Sequence, residues 1–353
     1  MAFKFKFDES VQKGFRRIGR DQFEIALAEL GAEAVPPVGV HACRKAMKRL
    51  RALVRLCSPA LGKARARRRN AALRDIARLL SSRRDQAVLM QTLGKLKEES
   101  GQAGEAVLRP LQRIWGVQAE AFAGVLDADV ASRARLMLLK EAKRFASTRI
   151  EDKGFDVLRD GLEASYREGR AALRKARAEP SDETFHELRK AVQAHWRQMS
   201  LLTRSWPEVI EVRVAAAREL SQILGDDHDI AMLHAATGNA EALSAEEIAA
   251  IGRLCRNHQM RLRRVALARA DRLFAEKPAA FADRVAAYWR ASGVLTFFEA
   301  DQSPAAAPET VPKATDPPAA PVNTPHLADV IPARSSAPAL AAPKGKSSSQ
   351  RRA

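Results

Sequence analysis

Apolar residues recur at helical spacing along most of the chain, from about residue 10 to residue 299. The first stretch opens at Ser10, a residue type that caps helix N termini, and stops at Gly31. Together with later stretches bounded by Gly, Pro or capping residues, it predicts helices at about 10–30, 39–57, 63–80, 83–99, 104–126, 130–151, 155–178, 182–205, 207–224, 227–237, 244–274 and 279–299. Alternation typical of a strand is confined to a short KFKF near the start. The pattern predicts an all-α fold.

The composition changes sharply after residue 302. Residues 303–353 contain ten Pro and thirteen Ala. Such a segment buries too little apolar surface to offset the entropy of ordering it, so we predict a disordered C-terminal tail.

Three cysteines without CxxC spacing give no disulfide framework, which favours a reducing compartment. The start of the chain lacks the apolar region of a secretory signal, and no apolar run reaches the ~18 residues needed to span a bilayer. We therefore expect a cytoplasmic protein with no membrane partner.

Positive charge is concentrated in one part of the chain. The formal net charge is +18, and the segment from His41 to Arg84 holds fifteen Lys and Arg against a single acid, Asp75. A helix over residues 39–57 separates an apolar side from a basic side. The basic side carries His41, Arg44, Lys45, Lys48, Arg49, Arg51 and Arg55. Like charges this close repel one another, which favours a polyanionic partner.

The chain repeats this helix once. At an offset of 145 residues, His41, Arg44 and Lys45 are matched by His186, Arg189 and Lys190. A second landmark follows in both copies, with Asp85 matched by Asp229 at an offset of 144. Two landmarks in the same order indicate duplication of a unit the size of a helical bundle. We predict a first bundle over 1–152, a second over 153–302, and the tail over 303–353.

These landmarks resemble the CHAD domain, a histidine-containing α-helical family. The resemblance covers about residues 10–299 and depends most on H-x-x-R-K at His41 and His186 and on Arg84–Asp85. It implies two pseudo-symmetric tandem bundles around a basic channel or face that binds inorganic polyphosphate, and association with polyphosphate granules. The implied ligands are His41, Arg44, Lys45, Lys48, Arg49, Arg51, Arg55, Arg84, His186, Arg189, Lys190 and Arg197.

The second copy is less basic than the first. Between His186 and Asp229 six Lys and Arg stand against seven acids, so we expect the first copy to make most contacts with a ligand. Arg197 and Arg204 return to the side of His186, whereas His195 points the other way and is predicted to be a core residue.

Two other functions remain open on these residues. The same charges would attract DNA or RNA, although recognised DNA-binding motifs are absent and aromatic residues for base stacking are few. Asp226, Asp227, His228 and Asp229 have the chemistry of metal ligands, but a helix N terminus explains the acids more simply.

The sequence carries no signature of an enzyme. It has no phosphate-binding loop of the G-x-x-x-x-G-K-[ST] type, no G-x-S-x-G and no paired-Cys site. The E-x-E-x-K signature of the triphosphate tunnel domain, which is fused to many CHAD relatives, is also absent. We expect a non-catalytic binding protein without a cofactor or metal.

Overall fold

The protein is described by a computed structural model. It describes residues 3–7, 9–32, 34–80, 84–119, 126–151, 153–238, 240 and 242–301, with side chains throughout these ranges except at 84–87, 116–119 and 294–301. The predicted tail, 303–353, lies outside the described residues.

The described ranges contain α-helices, one 3₁₀ turn at Thr203–Ser205 and no strand. The helices are α1 (Val11–Glu29), α2 (Pro37–Leu56), α3 (Ser58–Leu61), α4 (Lys63–Leu79), α5 (Arg84–Ala119), α6 (Ala128–Ala146), α7 (Asp156–Ala178), α8 (Asp182–Leu201), α9 (Pro207–Gly238), α10 (Ala245–Leu273) and α11 (Pro278–Asp301). The all-α prediction is confirmed over this part of the chain.

Two predicted helix starts are confirmed by their capping bonds. The Ser10 hydroxyl accepts a hydrogen bond from the Lys13 N–H at 3.3 Å. Ser181 and Thr184 form a reciprocal capping box at the start of α8, which satisfies two backbone donors that would otherwise lack partners.

The predicted break between residues 224 and 227 is wrong, because α9 runs without interruption from Pro207 to Gly238. The acids at 226–229 therefore do not cap a helix N terminus. They sit in the helix interior because neighbouring helices supply cations: Asp227 accepts from Arg263 Nε at 2.7 Å and Asp226 from Lys95 Nζ at 3.2 Å. Tertiary ion pairs thus override the weak helix propensity of aspartate.

The apolar side of α2 lies in the main core. Cys43, Met47, Leu50 and Val54 are fully buried there, and the same contiguous core includes buried side chains of α1, α6, α7, α8 and α11. A second, smaller core joins α5 to α9 and α10. The boundary between two bundles at 152/153 stays a prediction, since helices from both copies of the repeat contribute to the main core.

The end of α2 and the start of α7 bring main-chain atoms of the two copies into close contact. Helix α2 packs against α7 and α8, and Gly161 on α7 lies against the last residue of α2. A Cβ at position 161 would stand 1.9 Å from the carbonyl oxygen of Leu56. Only glycine allows this approach.

Arg204 does not continue the basic side of α8 as predicted. It lies in the 3₁₀ turn beyond the helix, is buried, and has its guanidinium 3.7 Å from the centre of the Trp289 ring. The helix ends at Leu201, so the angular count that placed Arg204 beside His186 does not apply to it. His195, by contrast, is a core residue as predicted, with only 2% of its surface exposed.

Candidate anion-binding site

A cavity of about 620 Å³ is lined by residues of α2, α5, α8 and α9. Helix α2 contributes four cations at positions i, i+4, i+7 and i+11, a spacing that keeps side chains on one face of a helix. They are Arg44, Lys48, Arg51 and Arg55. Helix α8 contributes His186, Arg189, Lys190 and Arg197. The basic helices of both copies therefore face one cavity.

The cavity brings together eight of the twelve side chains predicted to bind the ligand. His41 and Lys45 are exposed on α2 and do not line it. His41 lies on the same face of α2 as Lys48 but about two turns closer to the helix N terminus. Arg49 is turned toward Gln22 and Phe3: its Nη1 donates to Gln22 Oε1 at 3.2 Å. The side chain of Arg84 lies outside the described residues.

His228 is a cavity residue that the sequence did not single out as a ligand. Its ring lies beside that of His186, with centroids 4.5 Å apart and the planes tilted by 32°. Position 228 takes the place of Arg84 in the repeat, and the acids around it indicated a helix cap instead. The match to Arg84 was the one signal that could have found it.

Both histidines are held neutral by their surroundings. Burial lowers the pKa of His228 to about 4, with further contributions from Arg189 and His186. Burial likewise lowers the pKa of His186, as do the charges of Lys190 and Arg189. At neutral pH the two rings are therefore polar contacts beside a cluster of charges, and each can gain a proton if an anion enters.

The cavity arginines are crowded by one another. Burial and, to a smaller extent, the charges of Arg49, Arg51 and Arg189 together lower the pKa of Arg197 to about 10. The pKa of Arg51 is lowered by burial and by Arg74 and Arg78 on α4. These guanidiniums remain charged at neutral pH, so an entering anion would relieve repulsion that is already present.

Several cations are held in place by neighbouring groups. Arg44 Nη1 donates to the Ala77 carbonyl and Arg197 Nη1 to the Gln193 carbonyl, both at 2.7 Å. Arg55 pairs with Glu168, and Lys190 with Glu187 at 2.6 Å. The cavity cations are thus partly ordered before a ligand binds, which lowers the entropy cost of binding.

Other polar atoms of the cavity wall are buried without hydrogen-bond partners among the described residues. They are Nε of Arg51, Nε of Arg197 and Nδ1 of His186. Buried polar atoms of this kind usually have a partner, so these atoms are candidates for contact with a ligand or ordered water. All three belong to groups that can donate to an anion.

Most of the remaining wall is apolar. Val88 and Leu89 of α5 and Met232 of α9 line the cavity together with small alanine side chains. Asp229 is the one carboxylate among the described lining residues. Cations therefore outnumber acids at the surface that a ligand would meet.

The four residues at 226–229 do not form a shared site. Asp226 and Asp227 turn to Lys95 and Arg263, whereas His228 and Asp229 line the cavity. Within the described ranges, no group of three or more His, Cys, Asp or Glu is placed to hold a metal ion. This arrangement gives no support to the alternative of a metal centre.

A family model for the CHAD domain matches residues 21–237, which include all four helices of the cavity. The chain belongs to the CHAD domain family. The resemblance seen in the sequence is thereby confirmed. The CHAD match ends at the last turn of α9, so α10 and α11 lie beyond it.

Among solved structures, the chain is similar to PptA from Streptomyces chartreusis. The two are 15% identical, with a TM-score of 0.49, and the match covers 74% of this chain and 99% of PptA. Curated proteins gave no match. In the described part of this CHAD protein, every helix is too short or too polar to cross a membrane.

Proposed function

We propose that the cavity binds inorganic polyphosphate and leaves it chemically unchanged. The observation that carries this proposal is the convergence of cations from both copies of the repeat on one cavity with a single described carboxylate. Membership of the CHAD family supports a polyphosphate-related role. We extend the proposal to association with polyphosphate granules, where such chains are concentrated.

The chemistry of the wall suits a flexible chain of phosphates. Each arginine offers a planar fork that holds two phosphate oxygens, and each lysine offers a compact charge. A ligand with about one charge per residue needs several donors at modest spacing rather than one tight pocket. Neutralising several phosphates releases counterions, so affinity should fall steeply as salt rises.

Nucleic acid is the competing ligand class. The major groove of B-DNA alone is about 12 Å wide, and a cavity of about 620 Å³ does not enclose a duplex. The described cavity lining also contains no Trp, Tyr or Phe on which a base of a single strand could stack. Both observations favour polyphosphate.

A matched pair of variants on one helix tests the proposal. Lys48→Ala removes a cavity cation, whereas Lys45→Ala removes an exposed lysine that does not line the cavity. We expect Lys48→Ala to weaken binding of long-chain polyphosphate about threefold to tenfold and to reduce the dependence of log K on log salt by about one. Lys45→Ala should change affinity less than twofold.

Titrations over a salt series measure both quantities. Duplex DNA, added at equal phosphate concentration and physiological salt, serves as competitor. Displacement of polyphosphate by DNA would contradict the proposal, and so would equal effects of the two lysine variants. Binding should persist after extensive chelation, and loss on chelation would point to a metal instead.

A further inference from the structure

One cavity arginine connects the site to cations outside it. Arg197 is 7% exposed and its guanidinium lies 4.2 Å from the centre of the Trp196 ring. A second guanidinium, that of Arg218 on α9, lies 5.5 Å from the same ring. Arg218 is exposed and does not line the cavity. Trp196 therefore carries one arginine that belongs to the cavity and one that belongs to the surface.

Arg49 belongs to the same group. Burial lowers its pKa, as does the charge of Arg218, and Arg49 in turn acts on Arg197. Its guanidinium lies 5.2 Å from the centre of the Phe3 ring, and Nη1 bonds to Gln22. These contacts fix Arg49 outside the cavity yet within electrostatic reach of both other arginines.

No acid neutralises this group from within the described residues. Arg49, Arg197 and Arg218 take part in no ion pair there, and the nearest acid along α9, Glu219, pairs with Arg269 instead. Nε of Arg49 is buried with no hydrogen-bond partner in the described ranges. Two guanidiniums beside one indole, with the charge of Arg49 acting on both, repel one another unless an anion is shared among them.

We propose that Arg218, which shares the Trp196 ring with the cavity residue Arg197, forms with Arg49 a second phosphate-binding subsite that takes the part of a polyphosphate chain extending out of the cavity. The inference rests on the proposed function. This group then determines which chain lengths bind most tightly. A short chain contacts only the cavity cations, and a long chain also reaches Arg218. Because both guanidiniums lie near its ring, Trp196 gives the subsite a spectroscopic signal.

Two ligands separate the subsite from the cavity. Tripolyphosphate serves as the short probe and long-chain polyphosphate as the long one. We expect Arg218→Ala to weaken long-chain binding about threefold to tenfold, the effect of one lost phosphate contact, and to lower the salt dependence by about one. Tripolyphosphate binding should change less than twofold. Arg218→Glu should enlarge the long-chain defect, because it places an acid in the path of the chain.

Arg264→Ala is the matched control, since Arg264 is also an exposed helical arginine and does not line the cavity. Arg49→Gln is the second test variant, because glutamine retains a donor for Gln22. Circular dichroism checks that each variant keeps its helix content. The tryptophan emission change caused by long-chain polyphosphate should be largely lost in Trp196→Phe and should be smaller with tripolyphosphate.

The outcomes distinguish the two proposals. If Arg218→Ala weakens both probes equally, or weakens neither, the subsite is wrong while the cavity stands. An Arg264→Ala defect as large as that of Arg218→Ala would reduce the effect to general surface charge and would also overturn the subsite. If the parent protein binds neither probe, the proposed function fails and the subsite with it.

Discussion

The two basic helices contribute almost equally to the cavity, although the segments that contain them differ greatly in charge. The first segment has fifteen cations to one acid, and the second has six cations to seven acids. Yet α2 places four Lys and Arg side chains on the cavity and α8 places three. The charge of a segment is therefore a poor measure of what its helix presents to a ligand.

Many cations of the first segment do not line the cavity. Arg69 on α4 is buried and donates to the Arg144 carbonyl and the Thr148 hydroxyl, both at 2.7 Å. Arg65, Arg67 and Arg68 are exposed on α4 and do not line the cavity. In the second segment the acids other than Asp229 do not line the cavity, and Asp227 pairs with Arg263 instead. The position of each residue along and around its helix therefore decides whether its charge faces the cavity.

The strongest test of this equality replaces the cavity-lining cations of one helix at a time. We expect Arg44, Lys48, Arg51 and Arg55 changed together to Ala to weaken polyphosphate binding at least about a hundredfold, since each charged contact contributes ~1 kcal/mol or more. Changing Arg189, Lys190 and Arg197 to Ala should have a comparable effect. The slopes of log K against log salt should fall by about four and about three. An α8 variant that binds within twofold of the parent would instead support the expectation from the sequence that the first copy makes most contacts with the ligand.

The buried sides of the two helices offer a second comparison. The offset of 145 aligns Leu50 with His195, which are 0% and 2% exposed. Leu50→Ala should cost about 2–5 kcal/mol of unfolding free energy by opening a cavity. His195→Leu should cost about 1–3 kcal/mol, because Arg213 Nε loses the acceptor it reaches at 3.1 Å. Chemical denaturation at pH 7.5 measures both.

The same pair differs in its response to pH. Burial and the charge of Arg213 hold the pKa of His195 well below its ordinary value, so the ring is neutral in the fold and gains a proton only on unfolding. Its contribution to stability is complete above the unfolded pKa of about 6.5 and is lost as pH falls below it. His195→Leu should reduce the loss of stability between pH 7.5 and pH 5.5. An unchanged loss would assign it to other groups.

The smallest expected effect concerns the histidines of the cavity. A bound phosphate favours their charged forms and raises both lowered pKa values, so binding should take up protons and tighten as pH falls from about 7.5 to about 5.5. We expect a gain of severalfold at most, because affinity at pH 5.5 rises only where binding lifts a histidine pKa above that pH, by about tenfold for each unit above it. His228→Gln should flatten this dependence, whereas the exposed His41→Gln should not. Titrations at several pH values and constant salt decide the point.

The side of a helix on which a residue lies was predictable from the sequence. Which residues along that side reach the cavity was not, because that depends on where the neighbouring helices lie. The stripe of Arg44, Lys48 and Arg55 and the opposite placement of His195 follow from 3.6 residues per turn. The exposed position of His41 does not, because it depends on where the cavity ends. Arg218 and Trp196 are far apart in the chain, and only tertiary packing brings the Arg218 guanidinium to the Trp196 ring.

The acids of α9 show the other limit of sequence reasoning. Asp226 and Asp227 favour a helix N terminus by local preference alone. Their partners, Lys95 and Arg263, come from α5 and α10. No local sequence pattern predicts these ion pairs. The interpretation of His228 failed for the same reason, since it depended on a helix boundary that the structure does not have.

Gly161 has a mechanical consequence. With no side chain between α7 and the end of α2, the separation of the two repeats is fixed by main-chain atoms, which cannot yield by changing rotamer. A single methyl group at position 161 would push α7 away from the end of α2 and shift one repeat relative to the other. The width of the anion cavity would then change without the loss of any group that touches the ligand.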